Sequence, residues 1–102
     1  MIKYTLYIGL NDKDTHAQII SDINARNIVA NICASRDVCV TVSDARGVYK
    51  HTDNTVVVEN TLRCEFIECE KPIIKAIAED AKRALNQESV LLTTEVIEND
   101  FI

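Results

Sequence analysis

Six times along the chain the spacing of apolar residues settles on either two or three-to-four, and the order of these spacings leaves few folds open. A repeat of two belongs to a half-buried strand, and a repeat near 3.6 to an amphipathic helix. Residues 2–10 show the first pattern. Ile2, Tyr4, Leu6, Ile8 and Leu10 point one way; Lys3, Thr5, Tyr7 and Gly9 point the other. The polar run Asn11-Asp12-Lys13-Asp14 ends it. Thr15-His16-Ala17-Gln18 then matches a capping box, in which Thr and the Gln three residues on close the first turn of a helix. The spacing predicts a helix from there, with Ile19, Ile20 and Ile23 buried. After Ala25 the apolar residues Ile28, Val29 and Ile32 lie on a rotated face, so the helix either runs to about Cys33 or breaks near Asn27.

Val38, Val40 and Val42 alternate with Cys39, Thr41 and Ser43, which predicts a second strand within residues 38–50. Asp44-Ala45-Arg46-Gly47 interrupts the pattern, and a glycine inside a strand suggests a bulge. His51-Thr52-Asp53-Asn54 is a turn by composition. A third strand, about 55–68, puts Val58, Leu62, Cys64 and Phe66 on one face and Glu59, Thr61, Arg63 and Glu65 on the other. Pro72 suits the first turn of a second helix. Ile73, Ile74, Ile77, Ala78, Ala81 and Leu85 keep helical spacing through it. Lys82 and Arg83 fall where cations favour the helix dipole, and Asn86 suits the left-handed residue that ends such a helix. Ser89 to Thr94, extending toward Ile97, reads as a fourth strand. Strand, helix, strand, strand, helix, strand is the βαββαβ unit of the ferredoxin-like α+β sandwich: a four-stranded antiparallel sheet with two helices on one face. The expected core is Leu6, Ile8, Val40, Val42, Leu62, Phe66, Ile74, Ile77 and Ala81.

At 102 residues the chain has the length of one domain, 1–102, and 47% hydrophobic residues are enough for one packed core. Eleven basic against sixteen acidic residues give a net charge of −5. That balance excludes a protein that coats duplex nucleic acid, which needs cations to displace counterions. No apolar run approaches a membrane span, and the first residues lack the apolar stretch of a signal peptide, so the expected location is cytoplasmic. Cys33, Cys39, Cys64 and Cys69 are expected to be reduced there. Their C-x5-C and C-x4-C spacings suit no zinc site, and His16 and His51 are far away in sequence. Cys64 reads as a small core hydrophobe; Cys33, Cys39 and Cys69 lie near element ends, where partial exposure is expected.

Four blocks carry a resemblance: Tyr4 to Leu10 (YTLYIGL), Thr41 to Tyr49 (TVSDARGVY), Glu59-Asn60-Thr61, and Asn86 to Leu91 (NQESVL). The chain resembles a group of small bacterial proteins of unknown function with an opening LYFGL, a central LTVLDARGQW, an E-x-S after the hairpin and a closing QQSVL. The blocks follow in the same order over most of the chain. The first helix and its exit depart from the group, which usually has a Trp-containing helix and a Pro-rich approach to the second strand. Tyr49 stands where the group tends to have Trp. The resemblance implies the ferredoxin-like α+β fold and carries no reaction.

Asp44, Arg46, Tyr49, Glu59 and Asn60 form the leading cluster. Antiparallel pairing about Asp53-Asn54 puts Arg46 roughly opposite Asn60. Asp44 and Asn60 fall on the inward register, where an unpaired polar group costs about 1–3 kcal/mol, so each is expected to find a partner, the other being the first choice. The cluster reads either as a small anion or effector pocket with Arg46 as its fork, or as a network that fixes the bulge. Gln87, Glu88 and Ser89 either line a pocket mouth with Tyr7 or simply end the second helix. His51 is weighed as a general base and set against an ordinary exposed turn histidine. Asn11 to Asp14 lacks the calcium-loop pattern, and phosphate-loop, dinucleotide and nucleophile-elbow motifs are absent. No catalytic residue, metal or cofactor is called for.

Three functions are consistent with this sequence. The first is a non-enzymatic module that binds a protein or small-molecule partner and works as a homodimer through the open sheet face or its edge. The second is a cofactor-independent enzyme of the dimeric α+β barrel kind, which would need a roomy pocket between helices and sheet. The third is a phage-type acidic inhibitor of a host defence enzyme.

Overall fold

The computed structural model describes residues 1–50 and 52–102; the expectation for His51 lies outside the described residues. Six elements follow in the expected order: β1 (Ile2–Gly9), α1 (Asp22–Ser35), β2 (Thr41–Lys50), β3 (Val56–Ile67), α2 (Lys71–Ala84) and β4 (Leu91–Val96). The sheet order is β2-β3-β1-β4, with every neighbouring pair antiparallel. This is the ferredoxin-like α+β arrangement. Inward residues of β1 and β3 pair directly: Tyr4 with Phe66, Leu6 with Cys64 and Ile8 with Leu62. They meet Ala25, Val29 and Cys33 of α1 and Ile74, Ile77 and Ala81 of α2 in one buried cluster.

The start of α1 differs from the expectation. Ser21, not Thr15, is the N-cap, its hydroxyl accepting from the Asn24 N–H. The Thr15-to-Gln18 pattern lies instead in a loop that folds back on itself, with Gln18 bridged to Asn11. Asp12 organises that loop by accepting from the amides of Asp14 and Thr15, so an Asx turn outcompetes the capping box. Moving the helix start moves its stripe. Ile19 and Ile23 are exposed, and Ala25, Val29 and Cys33 are buried. The rotated face is thus the true inner face, and no break occurs near Asn27. Asp37 (φ 54) ends α1 and Asn86 (φ 48) ends α2 in left-handed geometry. In both, that residue's own amide and the next one reach back to carbonyls of the last turn, the usual helix-stopping pattern.

Four smaller corrections concern the sheet. Val38 and Val40 are half-buried against the core but precede β2, and Val42 is half-buried as well. Gly47 causes no bulge: it pairs with Glu59 inside an unbroken register from Thr41 to Lys50. Val58 has the inward register but is exposed, because the β2–β3 hairpin outruns the helices. The fourth strand begins at Leu91 and reaches Val96.

All four cysteines are free thiols in the structure. Cys64 is core, as expected; Cys33 is buried, not partly exposed, because α1 turns that face inward. Burial pushes the Cys33 thiol up to about 11 and the Cys64 thiol up to about 12, and burial also raises Cys69. The thiolate is the reactive form. At pH 8, Ellman's reagent should therefore modify exposed Cys39 first and Cys69 more slowly, while Cys33 and Cys64 react only on unfolding. Rapid release of four equivalents from native protein would contradict this packing. No helix among the described residues is long and apolar enough to cross a membrane.

Candidate functional site: a cleft on the open sheet face

The helix-free face of the sheet divides into two unlike halves. At one end Lys3 pairs with Glu65 at 2.7 Å, Arg63 reaches the same carboxylate, and Arg63 also donates to Ser43. The hydrogen bond from Lys3 holds Glu65 below the usual carboxylate range. This half is closed by its own charges. The other half, toward Gly9, opens into a cleft of about 610 Å³. Its floor comes from alternate residues of three strands: Tyr7 and Gly9 of β1, Glu59 and Thr61 of β3, Gly47 and Tyr49 of β2. A period of two puts all of them on the outer face.

Glu59 is fixed by the close approach of Gly9. A Cβ on Gly9 would lie 2.5 Å from the Glu59 carboxyl carbon and oxygen. Only hydrogen fits there while the carboxylate keeps its place. Glu59 Oε2 accepts the Asn11 amide at 2.9 Å, so the side chain lies along the strand end, half-buried, at the edge of the cleft. Among the described residues no cation pairs with it. A charge-assisted hydrogen bond to a carboxylate is about twice as strong as a neutral one, and Glu59 has acceptor capacity left for a ligand.

The walls are two loops tied together. One is residues 11–16, the other residues 86–89 after α2. Asn86 donates to Asp12 at 2.7 Å and to Asp14 at 2.9 Å, and its carbonyl accepts the Lys13 amide. That side-chain contact, helped by the amides of Thr15 and Asp14, holds the Asp12 carboxyl below its ordinary range. Gln87 is buried, and its Nε2 donates to the carbonyls of Asn11 and Leu85 at 2.9 and 3.1 Å.

Of the residues singled out in the sequence, Tyr7, Arg46, Tyr49, Glu59 and Gln87 all border this one cleft. Arg46 does stand opposite Asn60 and so shares its helix-side parity, although it also borders the cleft. Asp44 and Asn60 do not join the cleft and do not pair with each other. Their side chains point to the helix layer, where closer partners wait. Arg26 of α1 donates to both Asp44 oxygens at 2.8 and 2.9 Å. Asn60 donates to Gln18 at 2.8 Å, and Gln18 in turn donates to Asp22 at 2.6 Å. Those two residues hold the β2–β3 strands against α1. Lys13, His16 and Gly9 were missed as cleft residues. The Asx-turn composition of Asn11 to Thr15, next to a glycine ending a strand, was the signal that could have found them.

A four-stranded ferredoxin-like sheet with a ligand-sized cleft on its open face defines a small α+β module, and the family follows from the sequence. The chain belongs to the protein family of unknown function DUF3574, whose model matches residues 3–101. Comparison with proteins of curated function finds no match. Among solved structures, the chain is similar to a phage SAM lyase in complex with S-methyl-5'-thioadenosine, at 21% identity over 92% of this chain and 79% of that one, with a TM-score of 0.67. It is also similar to CutA1 from Pyrococcus horikoshii, at 11% identity over 99% and 87%, TM-score 0.58. CutA1 from Oryza sativa is similar at 17% identity over 99% and 84%, TM-score 0.56. At these identities the likeness is one of fold.

Proposed function

We propose that the chain is a small-molecule-binding module, acting as a homodimer, that holds a cationic or nucleoside-like ligand in the open-face cleft. The observation that carries this reading is the Gly9–Glu59 pair: a strand residue reduced to hydrogen, beside which a carboxylate with no cation partner among the described residues sits at the rim of a 610 Å³ cleft. That volume lies within the roughly 300–1,000 Å³ typical of small-molecule sites. Tyr7 and Tyr49 offer aromatic surface there, which suits a purine or a cation. The ligand class draws further support from the phage SAM lyase, which holds S-methyl-5'-thioadenosine on a similar fold.

Enzymatic turnover is the second reading, and its place has changed. A dimeric α+β barrel enzyme needs room between helices and sheet, but the recess beside Leu10, Ile20 and Leu85 has a volume of about 40 Å³, too small for a substrate. We therefore assign any chemistry to the larger, open-face cleft. The acidic-inhibitor reading draws less support: Asp44, Glu65 and Asp80 each contact an arginine or lysine, which tempers the acidic character at these positions.

Calorimetry with SAM and with S-methyl-5'-thioadenosine tests the proposal, with chromatography of the incubated mixture to detect cleavage. Binding of either at micromolar to sub-millimolar concentration is expected. Glu59→Gln, which keeps the shape and removes the charge, should weaken a cationic ligand at least about tenfold. No heat with either compound at millimolar concentration would reject the nucleoside class. Release of methylthioadenosine from SAM would make the module an enzyme.

A further inference from the structure

The β2–β3 hairpin has two faces with different neighbours. One carries Gly47, Tyr49 and Glu59 toward the cleft. The other carries Val48, Val56 and Val58, which are 66%, 57% and 54% exposed. Val48 stands opposite Val58, and Lys50 opposite Val56, so these side chains share one face. Nearer the body residues of the same face are tied to α1 and the loop before it, Asp44 through Arg26 and Asn60 through Gln18. The valines lie past the end of the helix layer. Arg46 and Lys50 flank them, and neither forms an ion pair among the described residues.

A matching surface lies at the far end of the sheet. Val96 is 81% exposed, Phe101 is 75% exposed, and Ile102 is fully exposed. Between them come Glu98 and Asp100, also without ion pairs among the described residues. Val96 pairs with Ile2, and Lys3 pairs with Ile67, so this segment sits at the end of β3 remote from Val56. The twelve residues of β3 span about 40 Å at roughly 3.3 Å each. The arm therefore cannot cover the segment of its own chain.

We propose that residues 96–102 of a second copy dock on the helix-side face of the hairpin arm. Val96, Phe101 and Ile102 cover Val48, Val56 and Val58, with Glu98 and Asp100 beside Arg46 and Lys50. Apolar patches on both surfaces leave water together, and the flanking charges are opposite in sign. Because arm and segment occupy opposite ends of one sheet, a two-fold pair makes the contact twice and closes. The arm's other face lines the cleft, so the same contact steadies Tyr49. The inference holds whatever the cleft binds.

Light scattering coupled to size exclusion, at tens of micromolar, reads the assembly. Wild type is expected above monomer mass. Val48→Asp with Val58→Asp should be monomeric with an unchanged far-UV circular dichroism spectrum. Lys50→Glu should raise the dissociation constant about fivefold, since an exposed ion pair is worth little alone and is made twice. Adding Asp100→Lys to the same chain should restore it. If the double valine variant fails to fold, the charge swap decides alone. A monomeric wild type, a valine variant that keeps its oligomeric mass, or a swap that fails to restore assembly overturns the proposal.

Discussion

Replacing Phe66 with Ala should destabilise the fold by about 3–5 kcal/mol, the usual range for deleting a buried aromatic side chain. Phe66 is fully buried and pairs with Tyr4 in the middle of the sheet. Its ring belongs to the cluster that joins both helices to the sheet. The surrounding side chains come from four different elements, so the cavity cannot close by the shift of any one of them. Domains of this size have about 5–15 kcal/mol of stability in all, so the variant should unfold at a much lower urea concentration. Urea titration followed by circular dichroism measures this. An effect below about 1 kcal/mol would mean that β3 does not bury the 62-64-66 register.

That register was legible because period-two alternation has only two phases. Leu62, Cys64 and Phe66 share one, and a slip of one residue would turn all three to water. The second helix was legible for a similar reason: Ile74, Ile77 and Ala81 hold one stripe from Pro72 onward. The first helix was not. Thr15 and Gln18 satisfy a local capping rule, but Asp12 satisfies another. The loop version is reinforced by Asn86, 74 residues away. Local pattern cannot weigh a partner that distant. The inner face then goes to the small residues Ala25 and Cys33 with Val29, flanked by half-buried Ile28 and Ile32, while Ile19 and Ile23 lie outside, so the local stripe from Ile19 to Ile23 pointed to the wrong face.

The cleft was legible in part. Tyr7, Arg46, Tyr49, Glu59 and Gln87 stood out by chemical type, and the hairpin register placed Arg46 across from Asn60 correctly. What stayed hidden was which side of the sheet each served. Asp44 and Asn60 have inward parity, and the structure spends them on Arg26 and Gln18. Glu59 has outward parity and meets Gly9, a strand away. The role of Gly9 is invisible in isolation, since a glycine ending a strand is ordinary until something presses against its missing side chain.

Gln87→Ala is expected to cost about 1–3 kcal/mol, the penalty for leaving buried polar groups without partners. Gln87 is only 8% exposed, yet one nitrogen serves two carbonyls, Asn11 and Leu85. The first belongs to Asn11, just past β1, whose amide donates to Glu59, and the second belongs to the C-cap of α2. Truncation strands both and leaves a void between the two cleft walls. The change should be felt beyond stability: the Lys13 amide, which donates to the Asn86 carbonyl, should exchange faster with deuterium as the walls part. Leu62, in the core, should keep its protection at low denaturant, because its exchange follows global unfolding. If Lys13 exchanges no faster in the variant than the general loss of stability explains, then Gln87 is a helix-ending residue only, and the cleft walls are held by Asn86 with Asp12 and Asp14.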